Sequence, residues 1–371
     1  MKRMLHMIVG LAALAATTAD ARELRVAPGA PPAHPSNSHL YGKLVEYLPE
    51  VSGGNLTGQL LGPEVVGLGQ MKDALQSQLV EVGNLLPLYF PADLPNMSLA
   101  GELALSGREP HAMAAAMTEY MVTCETCQAE LKKFGVVYLG SGSSDVYALL
   151  TTKPVKTAAD IKGLRLRSGG APFSRWAENF GAVPANIGVG DTFESMSQGV
   201  IDGSMASIGD LLSFRLVELV KNITFIPLGT YHATSDFTVA NSAWEGLSPE
   251  ERKQLATAAN KANVVFTQRW GYEMASIARE AAQKAGIQFL EPDAEFLKAS
   301  EAFAEADKAT AAKVSQERFG FDDAQARVDR FVALVKKWNG IVKEANGDTD
   351  AITKRLDEEV WSKIDFATYG M

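Results

Sequence analysis

The sequence predicts an α/β protein built from two lobes. Between residues 23 and 84, short strand patterns alternate with helical patterns, as in largely parallel α/β sheets. The chain has 371 residues, 46% of them hydrophobic. This length exceeds what a single hydrophobic core usually organises. A helical pattern that begins at Ser248 continues to Gly286, longer than one lobe, so we expect it to run along both.

The N-terminal segment, residues 1–21, has the pattern of a cleaved signal peptide. Lys2 and Arg3 precede an apolar core at 7–16, and Ala19-Asp20-Ala21 is a small-residue cleavage site. The apolar run is too short to span a bilayer, although retention as an uncleaved anchor is the alternative. The sequence therefore predicts an exported, soluble chain.

The net charge is acidic. It is −9 for the whole chain, and removal of residues 1–21 takes away two positive charges and one negative, which makes it −10. Such a surface argues against nucleic acid or an anionic membrane as the main partner. It leaves room for an anionic ligand, because one or two arginines can oppose the overall field locally.

The first lobe is predicted from a regular succession of elements. They are a strand at 23–27, a helix at 37–48, a strand at 56–60, a helix at 69–78 and a strand at 80–84. Ligands of such sheets lie beyond the carboxyl ends of the strands, which places the loops at 28–35 and 84–90 near a cleft. Asn84 and Tyr89 are candidate binding residues there, and anchoring of the loop in the core is the alternative for Tyr89.

Cys124 and Cys127 lie within a predicted helix from His111 to Phe134. A zinc site needs further Cys or His ligands at suitable spacing, and a thioredoxin-like motif should open a helix after a strand. In an oxidising compartment, the pair is expected to form a disulfide within one helical turn. The sequence indicates neither a metal site nor a cofactor.

The middle of the chain is predicted to form the second lobe. Gly140–Ser144 is the expected crossover, and it leads to a strand at 146–151. Further predicted elements are a strand at 164–167 and helices at 173–180, 191–199 and 211–221. Two more strands are expected. Val200–Gly203 would begin the first, and residues 222–228 lead into the second. Residues 237–241 are the expected second crossing. Ser248-Pro249-Glu250-Glu251 is a capping box for the long helix.

Arg167 is the leading candidate for contact with an anion. It ends the strand Leu164-Arg165-Leu166-Arg167, just before a glycine turn at 168–170 and a helix that Pro172 would open. A guanidinium fork beside a helix N-terminus forms a local pocket for a carboxylate. On spacing alone, a salt-bridged arginine at a sheet edge is the alternative.

Three phrases in order resemble the solute-binding subunits of tripartite ATP-independent periplasmic (TRAP) transporters, the DctP-type family. They are D-I-K-G-L-R-L-R at 160–167, F-G-A at 180–182 and E-S-M-S-Q-G-V-I-D-G at 194–203. The resemblance implies a two-lobed periplasmic binding protein fold with hinge strands and a long helix spanning both lobes. It also implies that Arg167 grips the carboxylate of an organic acid, which is then delivered to membrane permease subunits.

We expect the lobes to divide the mature chain discontinuously. The predicted first lobe comprises residues 22–143 and 241–265, and the second comprises 144–240 and 266–298 and carries Arg167. Residues 299–371 are predicted to form C-terminal helices that pack on the lobes, with an apolar stripe at Phe331, Leu334, Val335 and Trp338.

The chain departs from the family pattern at two positions. Tyr147 stands where relatives that bind acidic sugars carry a second arginine, and Ala206 stands where several carry a polar side chain. The resemblance thus favours a monocarboxylate with a hydrophobic or aromatic body over a short dicarboxylate. The remaining candidate binding residues are Phe173, Met205, Ser207 and Tyr231.

A binding protein is favoured over an enzyme. The four histidines after the signal peptide are scattered, and the sequence contains no nucleophile elbow, zinc helix motif or kinase signature. The predicted partners are a small organic acid anion and TRAP permease subunits, with no nucleic acid. Two alternatives stay open, namely the binding protein of an ATP-driven importer and an exported enzyme acting on a small carboxylate.

Overall fold

The structure, a computed structural model, describes residues 21–371, so residues 1–20 of the predicted signal peptide lie outside it. The described part is an α/β protein with two sheets and helices around them. None of its helices combines the length and the apolarity needed to cross a membrane. The helices are α1 Gly42–Ser52, α2 Met71–Gln76, α3 Pro95–Gly101, α4 Pro110–Val122, α5 Glu125–Phe134, α6 Ala171–Asn179, α7 Thr192–Ser197, α8 Asp210–Ser213, α9 Asn241–Glu245, α10 Pro249–Gln268, α11 Met274–Lys284, α12 Ala294–Phe319, α13 Ala324–Ala345 and α14 Thr349–Glu359.

The first lobe contains a five-stranded sheet. Its strands are β1 Arg22–Ala27, β2 Leu56–Leu60, β3 Val82–Leu85, β4 Val136–Tyr138 and β10 Ser235–Ala240, in the order β2-β1-β3-β10-β4. The first three run parallel, as predicted from the alternation of strands and helices. Strand β10 is antiparallel to both of its neighbours, β3 and β4.

The second lobe contains a six-stranded mixed sheet. Its strands are β5 Ala148–Thr151, β6 Arg165–Ser168, β7 Val183–Asn186, β8 Gly203–Ala206, β9 Asn222–Thr224 and β11 Gln288–Leu290, in the order β11-β9-β5-β8-β6-β7. Strand β6 pairs in parallel with β7 and β8, so Arg167 sits inside the sheet rather than at its edge. Strand β7 was not predicted, and β8 starts at Gly203, the last residue of the segment predicted to lead into that strand.

Two crossing segments connect the sheets and pair with each other. Tyr147 donates its N–H to Gly229 O at 2.7 Å, and Ser144 donates to Tyr231 O at 3.0 Å. Gly229 has a φ of +76°, and a Cβ there would collide with the carbonyl group of Ala104, so this position requires glycine. The crossover predicted at Gly140–Ser144 is a buried, hydrogen-bonded segment rather than a flexible turn.

The long helix runs without a break from α10 through one π-helical turn, Arg269–Glu273, into α11. Its predicted capping box is present, with Ser248 and Glu251 satisfying each other's backbone N–H groups. Helix α10 packs on α1 of the first lobe, whereas α11 packs on α8 of the second. The prediction that one helix spans both lobes is confirmed.

The C-terminal helices pack against both lobes. Helix α13 packs on α4, and its Phe331 and Trp338 are fully buried, as the apolar stripe predicted. Helix α12 contacts both α3 and α6. There Arg175 of α6 donates to Glu102 Oε2 at 2.6 Å and to both oxygens of Asp307, at 2.7 and 2.8 Å, and both acids are nearly fully buried.

Contrary to the prediction, Cys124 and Cys127 do not both lie inside one long helix, because Cys124 precedes α5 and Cys127 lies in its first turn. The expected long helix is two helices, α4 and α5, because Thr123 and Cys124 leave helical geometry between them. Cys124 is the N-cap of α5, where its sulfur accepts from the Cys127 N–H at 3.1 Å. The two residues are joined by a disulfide, which therefore closes the first turn of α5.

Two further expectations need correction. The helix predicted at 211–221 is instead α8 followed by a separate 3-10 turn, because Arg215 has a φ of +60° and interrupts the helical pattern. The lobe boundary predicted after residue 240 comes too late. All of β10 from Ser235 onward hydrogen-bonds to strands of the first sheet.

Candidate functional site

A pocket lies between the two lobes. The first lobe and the long helix supply one wall, and β6, α8 and the hinge segments supply the other. Apolar side chains dominate the lining, namely Ala30, Leu68, Leu86, Val189, Phe214, Phe266 and Trp270. An apolar cleft with a few placed polar groups is the usual form of a small-molecule site.

Arg167 is the one Lys or Arg side chain that lines this pocket within residues 21–371. It is only 1% exposed, and its Nε donates to Ile187 O at 3.1 Å. Its Nη2 donates to the Tyr89 hydroxyl of the opposite lobe at 3.2 Å, which fixes the plane of the guanidinium. Nη1 is buried and has no hydrogen-bond partner in the described part of the chain, so both of its N–H groups remain for a ligand.

Tyr89 joins the two lobes at this point. Its hydroxyl also accepts from the Val189 N–H at 2.9 Å, so a first-lobe side chain is held by two groups of the second lobe. The interpretation of Tyr89 as a mere loop anchor is therefore too narrow. It anchors a loop and lines the pocket at once.

Aromatic rings form a stack beside Arg167. Tyr147 lies parallel to Tyr231, with ring centroids 6.2 Å apart, and also to Phe173, at 5.2 Å. Tyr147 and Tyr231 line the pocket, whereas Phe173 supports Tyr147 from behind and is fully buried. The Tyr231 hydroxyl is buried and finds no acceptor among residues 21–371.

A second aromatic group forms the wall near the long helix. The π turn of that helix carries Trp270, which stacks on Phe266 at 5.1 Å. The His34 ring packs against Trp270 at 5.5 Å and against Phe214 at 5.8 Å. Such rings present flat apolar faces to a ligand at a small cost in side-chain entropy.

His34 is neutral in this setting. Burial lowers its pKa to about 3, and its Nδ1 accepts from the backbone N–H of Ser36 at 3.1 Å. Since Nδ1 accepts, the neutral ring carries its proton on Nε2. His34 therefore adds no positive charge to the site.

Two acids also line the pocket. Burial raises the pKa of Asp210 to about 7, and the positive charge of nearby Arg167 opposes that rise. Burial raises the pKa of Asp236 to about 7 as well. A second negative group on a ligand would meet one of these carboxyls, so the pocket suits a single anionic group placed against Arg167.

The structure brings together five of the eight predicted binding residues, namely Arg167, Tyr147, Tyr231, Asn84 and Tyr89. The other three predicted residues do not line the pocket that residues 21–371 form; they are Phe173, Met205 and Ser207. Met205 is packed in the core, and the Ser207 hydroxyl donates to the buried carboxylate of Asp145 instead of a ligand. These three lie behind the pocket wall.

Several lining residues were missed from the sequence. Phe266 and Trp270 lie four residues apart on the long helix. The sequence therefore shows that they share a helix face, but not that this face lines the pocket. Asp236 carried a stronger signal, because it is the one charged residue of the buried strand β10. Phe214 lies in the stretch wrongly predicted as one helix, 211–221, and Asp210 immediately precedes that stretch.

Comparison with known proteins agrees with this geometry. The profile of the bacterial extracellular solute-binding protein family 7, DctP, matches residues 29–314. The chain is 33% identical over 112 residues to the 2,3-diketo-L-gulonate-binding periplasmic protein of Escherichia coli, which covers 29% of the chain and 33% of that protein. It spans about a third to a half of the length of the curated relatives it matches.

Two solved structures show the same fold. One is a marine metagenome TRAP solute-binding protein from an unidentified microbe, specific for aromatic acid ligands and crystallised with 3-hydroxybenzoate; it has 22% identity and a TM-score of 0.77, and the match covers 86% of this chain and 99% of that one. The other is a TRAP solute-binding protein from Rhodoferax ferrireducens with copurified benzoate, at 19% identity, the same TM-score and the same coverage.

Proposed function

The chain belongs to the bacterial extracellular solute-binding protein family 7, and on that basis we propose that it captures an aromatic monocarboxylate in the periplasm for a TRAP-type secondary transporter. The observation that carries the proposal is the buried Arg167 guanidinium, held in a pocket with aromatic walls and left with an unpaired Nη1. The two lobes close over the solute, and the closed form is presented to the membrane permease subunits.

Arg167 supplies the charge that a carboxylate needs in a site with little water. Ile187 O and the Tyr89 hydroxyl hold its guanidinium in place before the ligand arrives, so little side-chain entropy is lost on binding. The unpaired Nη1 donates to one carboxylate oxygen. Charge-assisted bonds of this kind are shorter and stronger than neutral ones.

The walls favour a flat apolar body behind that carboxylate. Tyr147 and Tyr231 form one aromatic group of the lining, and Phe214, Phe266 and Trp270 belong to another. A ring between them removes apolar surface from water on both faces and gains stacking contacts. A small polar acid would leave this apolar wall without contacts.

The two acids disfavour a dicarboxylate. A C4 dicarboxylate bound at Arg167 would place its second carboxylate in a pocket that also holds Asp210 and Asp236. With no second Lys or Arg among the described lining residues, this charge would be buried without a cation. Tyr147 also disfavours a second carboxylate, because it stands where sugar-acid binders of the family carry an arginine.

The alternatives of an ATP-driven importer and of an exported enzyme receive no support. The family match and the solved neighbours are TRAP-type solute receptors, and no catalytic set was recognised in the sequence. Uptake would draw on an ion gradient rather than on ATP. The organic acid and the permease subunits are the partners of this proposal.

A ligand panel tests the solute class. We expect benzoate and 3-hydroxybenzoate, the acids held by the two crystallised proteins of the same fold, to bind more tightly than succinate, malate or branched-chain 2-oxo acids. The expected preference over the dicarboxylates is at least about a hundredfold, since an unpaired buried charge costs several kcal/mol. Isothermal calorimetry at pH 7.5 measures it, and tight binding of succinate or malate with no binding of aromatic acids would contradict the proposal.

The affinity for benzoate should depend on pH through Asp210. Its pKa is raised to about 7 by burial, so it is mainly ionised at pH 8 and mainly protonated at pH 6. The ionised form repels the ligand carboxylate beside Arg167, so binding takes up a proton and tightens as the pH falls. We expect about three- to tenfold tighter binding at pH 6 than at pH 8.

Asp210→Asn is the variant that isolates this effect. It should bind benzoate more tightly than the native protein at pH 8 and show a smaller pH dependence, the remainder coming from Asp236, whose pKa is also raised to about 7. Asp191→Asn is the matched control, because that carboxyl is exposed at the rim and its loss should leave both quantities unchanged. An unaltered pH profile in Asp210→Asn would show that another group titrates.

A further inference from the structure

Asp236 presents a carboxylate to the pocket that no protein group uses. The residue is fully buried, and neither of its carboxylate oxygens has a hydrogen-bond partner among residues 21–371. The Thr234 hydroxyl accepts from the Gly142 N–H at 3.2 Å and donates to the Gly142 carbonyl oxygen at 3.4 Å. The Tyr41 hydroxyl donates to the backbone oxygen of Asp236, at 2.6 Å, and not to the carboxylate.

The local backbone is shaped around this carboxylate. A Cβ at Gly142 would lie 2.6 Å from Asp236 Oδ2 and 2.6 Å from the Phe266 ring, so any side chain there would displace one or the other. Burial raises the pKa of Asp236, and this rise is opposed by the Thr234 hydroxyl and the Gly142 N–H, which lie near the carboxylate without reaching hydrogen-bond geometry. A buried acceptor left unpaired costs stability, and such groups are concentrated at functional sites.

Asp236 and Arg167 reach the pocket from different sheets. Asp236 belongs to β10 of the first sheet, whereas Arg167 belongs to β6 of the second. Both line the same pocket, together with aromatic side chains that include Tyr147 and Phe266. A ligand whose carboxylate binds Arg167 can therefore meet Asp236 with another part of its body.

We propose that the solute carries an O–H or N–H donor on the side of its ring away from the carboxylate, and that Asp236 accepts this hydrogen bond. The inference rests on the proposed function and narrows its solute class to hydroxy- or amino-substituted aromatic acids. Arg167 binds the carboxylate and Asp236 reads the substituent. An unsubstituted ring leaves the Asp236 carboxylate buried and unpaired, and a site built to accept a hydrogen bond discriminates against a ligand that lacks the donor.

Calorimetry with matched acids tests this assignment. The probes are benzoate, 3- and 4-hydroxybenzoate, and 3- and 4-aminobenzoate. Comparison of the hydroxy acids with the amino acids of this set distinguishes an O–H donor from an N–H donor. The native protein should prefer the best substituted acid over benzoate by about tenfold or more. Asp236→Leu, which removes the acceptor at similar volume, should reduce that preference to about twofold or less, mainly by weakening the substituted acid.

Two further variants keep the result interpretable. Asp236→Asn retains an acceptor oxygen and the shape of the side chain, so it should keep part of the preference even if the leucine variant folds poorly. Arg167→Lys should weaken substituted acid and benzoate alike and leave their ratio unchanged.

Equal binding of benzoate and of every substituted acid by the native protein would overturn the inference and leave the proposed function standing. A preference for the substituted acid over benzoate that persists in Asp236→Leu would likewise overturn the inference and leave the proposed function standing. Failure of every aromatic acid to bind would instead overturn the proposed function itself.

Discussion

Arg167→Ala is expected to weaken binding of the aromatic acid by about 30-fold to several-thousandfold, which corresponds to roughly 2–5 kcal/mol. The residue is 1% exposed, and within the described chain it is the one Lys or Arg side chain at the pocket. Its removal leaves the ligand carboxylate without a cation in a site from which most water is excluded. Isothermal calorimetry with benzoate measures the loss.

Two companion variants show whether the effect is specific. Arg167→Lys should recover only part of the affinity, because an ammonium cannot reproduce the fork that donates to Ile187 O, to Tyr89 and to the ligand together. Arg165→Ala, two residues earlier on the same strand, removes an exposed arginine paired with Asp202 and should leave affinity unchanged. Equal affinity in native protein and Arg167→Ala would remove Arg167 from the site.

Arg175→Ala should destabilise the folded protein by about 3–5 kcal/mol. This side chain pairs with Glu102 at 2.6 Å and with Asp307 at 2.7 Å, and the two acids are 2% and 3% exposed. Burial already raises the pKa of Glu102, and Arg175 opposes that rise. Without the arginine, two buried acids face each other with no cation.

Denaturant unfolding of the two proteins measures this cost. Arg165→Ala again serves as the control, because its exposed ion pair should contribute less than about 1 kcal/mol. A change in Arg175→Ala no larger than in the control would mean that the two acids find other partners or protonate without cost.

The architecture was largely predictable because local and global signals agree in this chain. The strand and helix periods of the first lobe and the capping box at Ser248 each describe an element that forms where predicted. Arg167 was identified by combining a strand that ends in a glycine turn with a family resemblance. Neither source alone separated a ligand-binding arginine from an ordinary ion pair.

The sequence pattern failed where a side chain or an unusual backbone angle overrides periodicity. Cys124 acts as a helix cap in a stretch whose apolar pattern continues, so the break before α5 left no trace. Arg215 adopts a positive φ that a non-glycine residue seldom takes, and this ends the helical run after α8.

The candidate site was only half predictable because it is assembled from distant segments. Phe266, Trp270 and Asp236 meet the rest of the pocket through the long helix and a strand that the boundary prediction had assigned to the wrong lobe. A single sequence shows which helix face is apolar, but not which cavity that face covers.

The most direct test of the central claim is a crystal structure of the protein with benzoate bound. The account predicts the ring between the Tyr147–Tyr231 stack and Trp270, with a carboxylate oxygen within about 3 Å of Arg167 Nη1. A benzoate whose carboxylate lies away from Arg167, or one bound outside the pocket between the lobes, would contradict it.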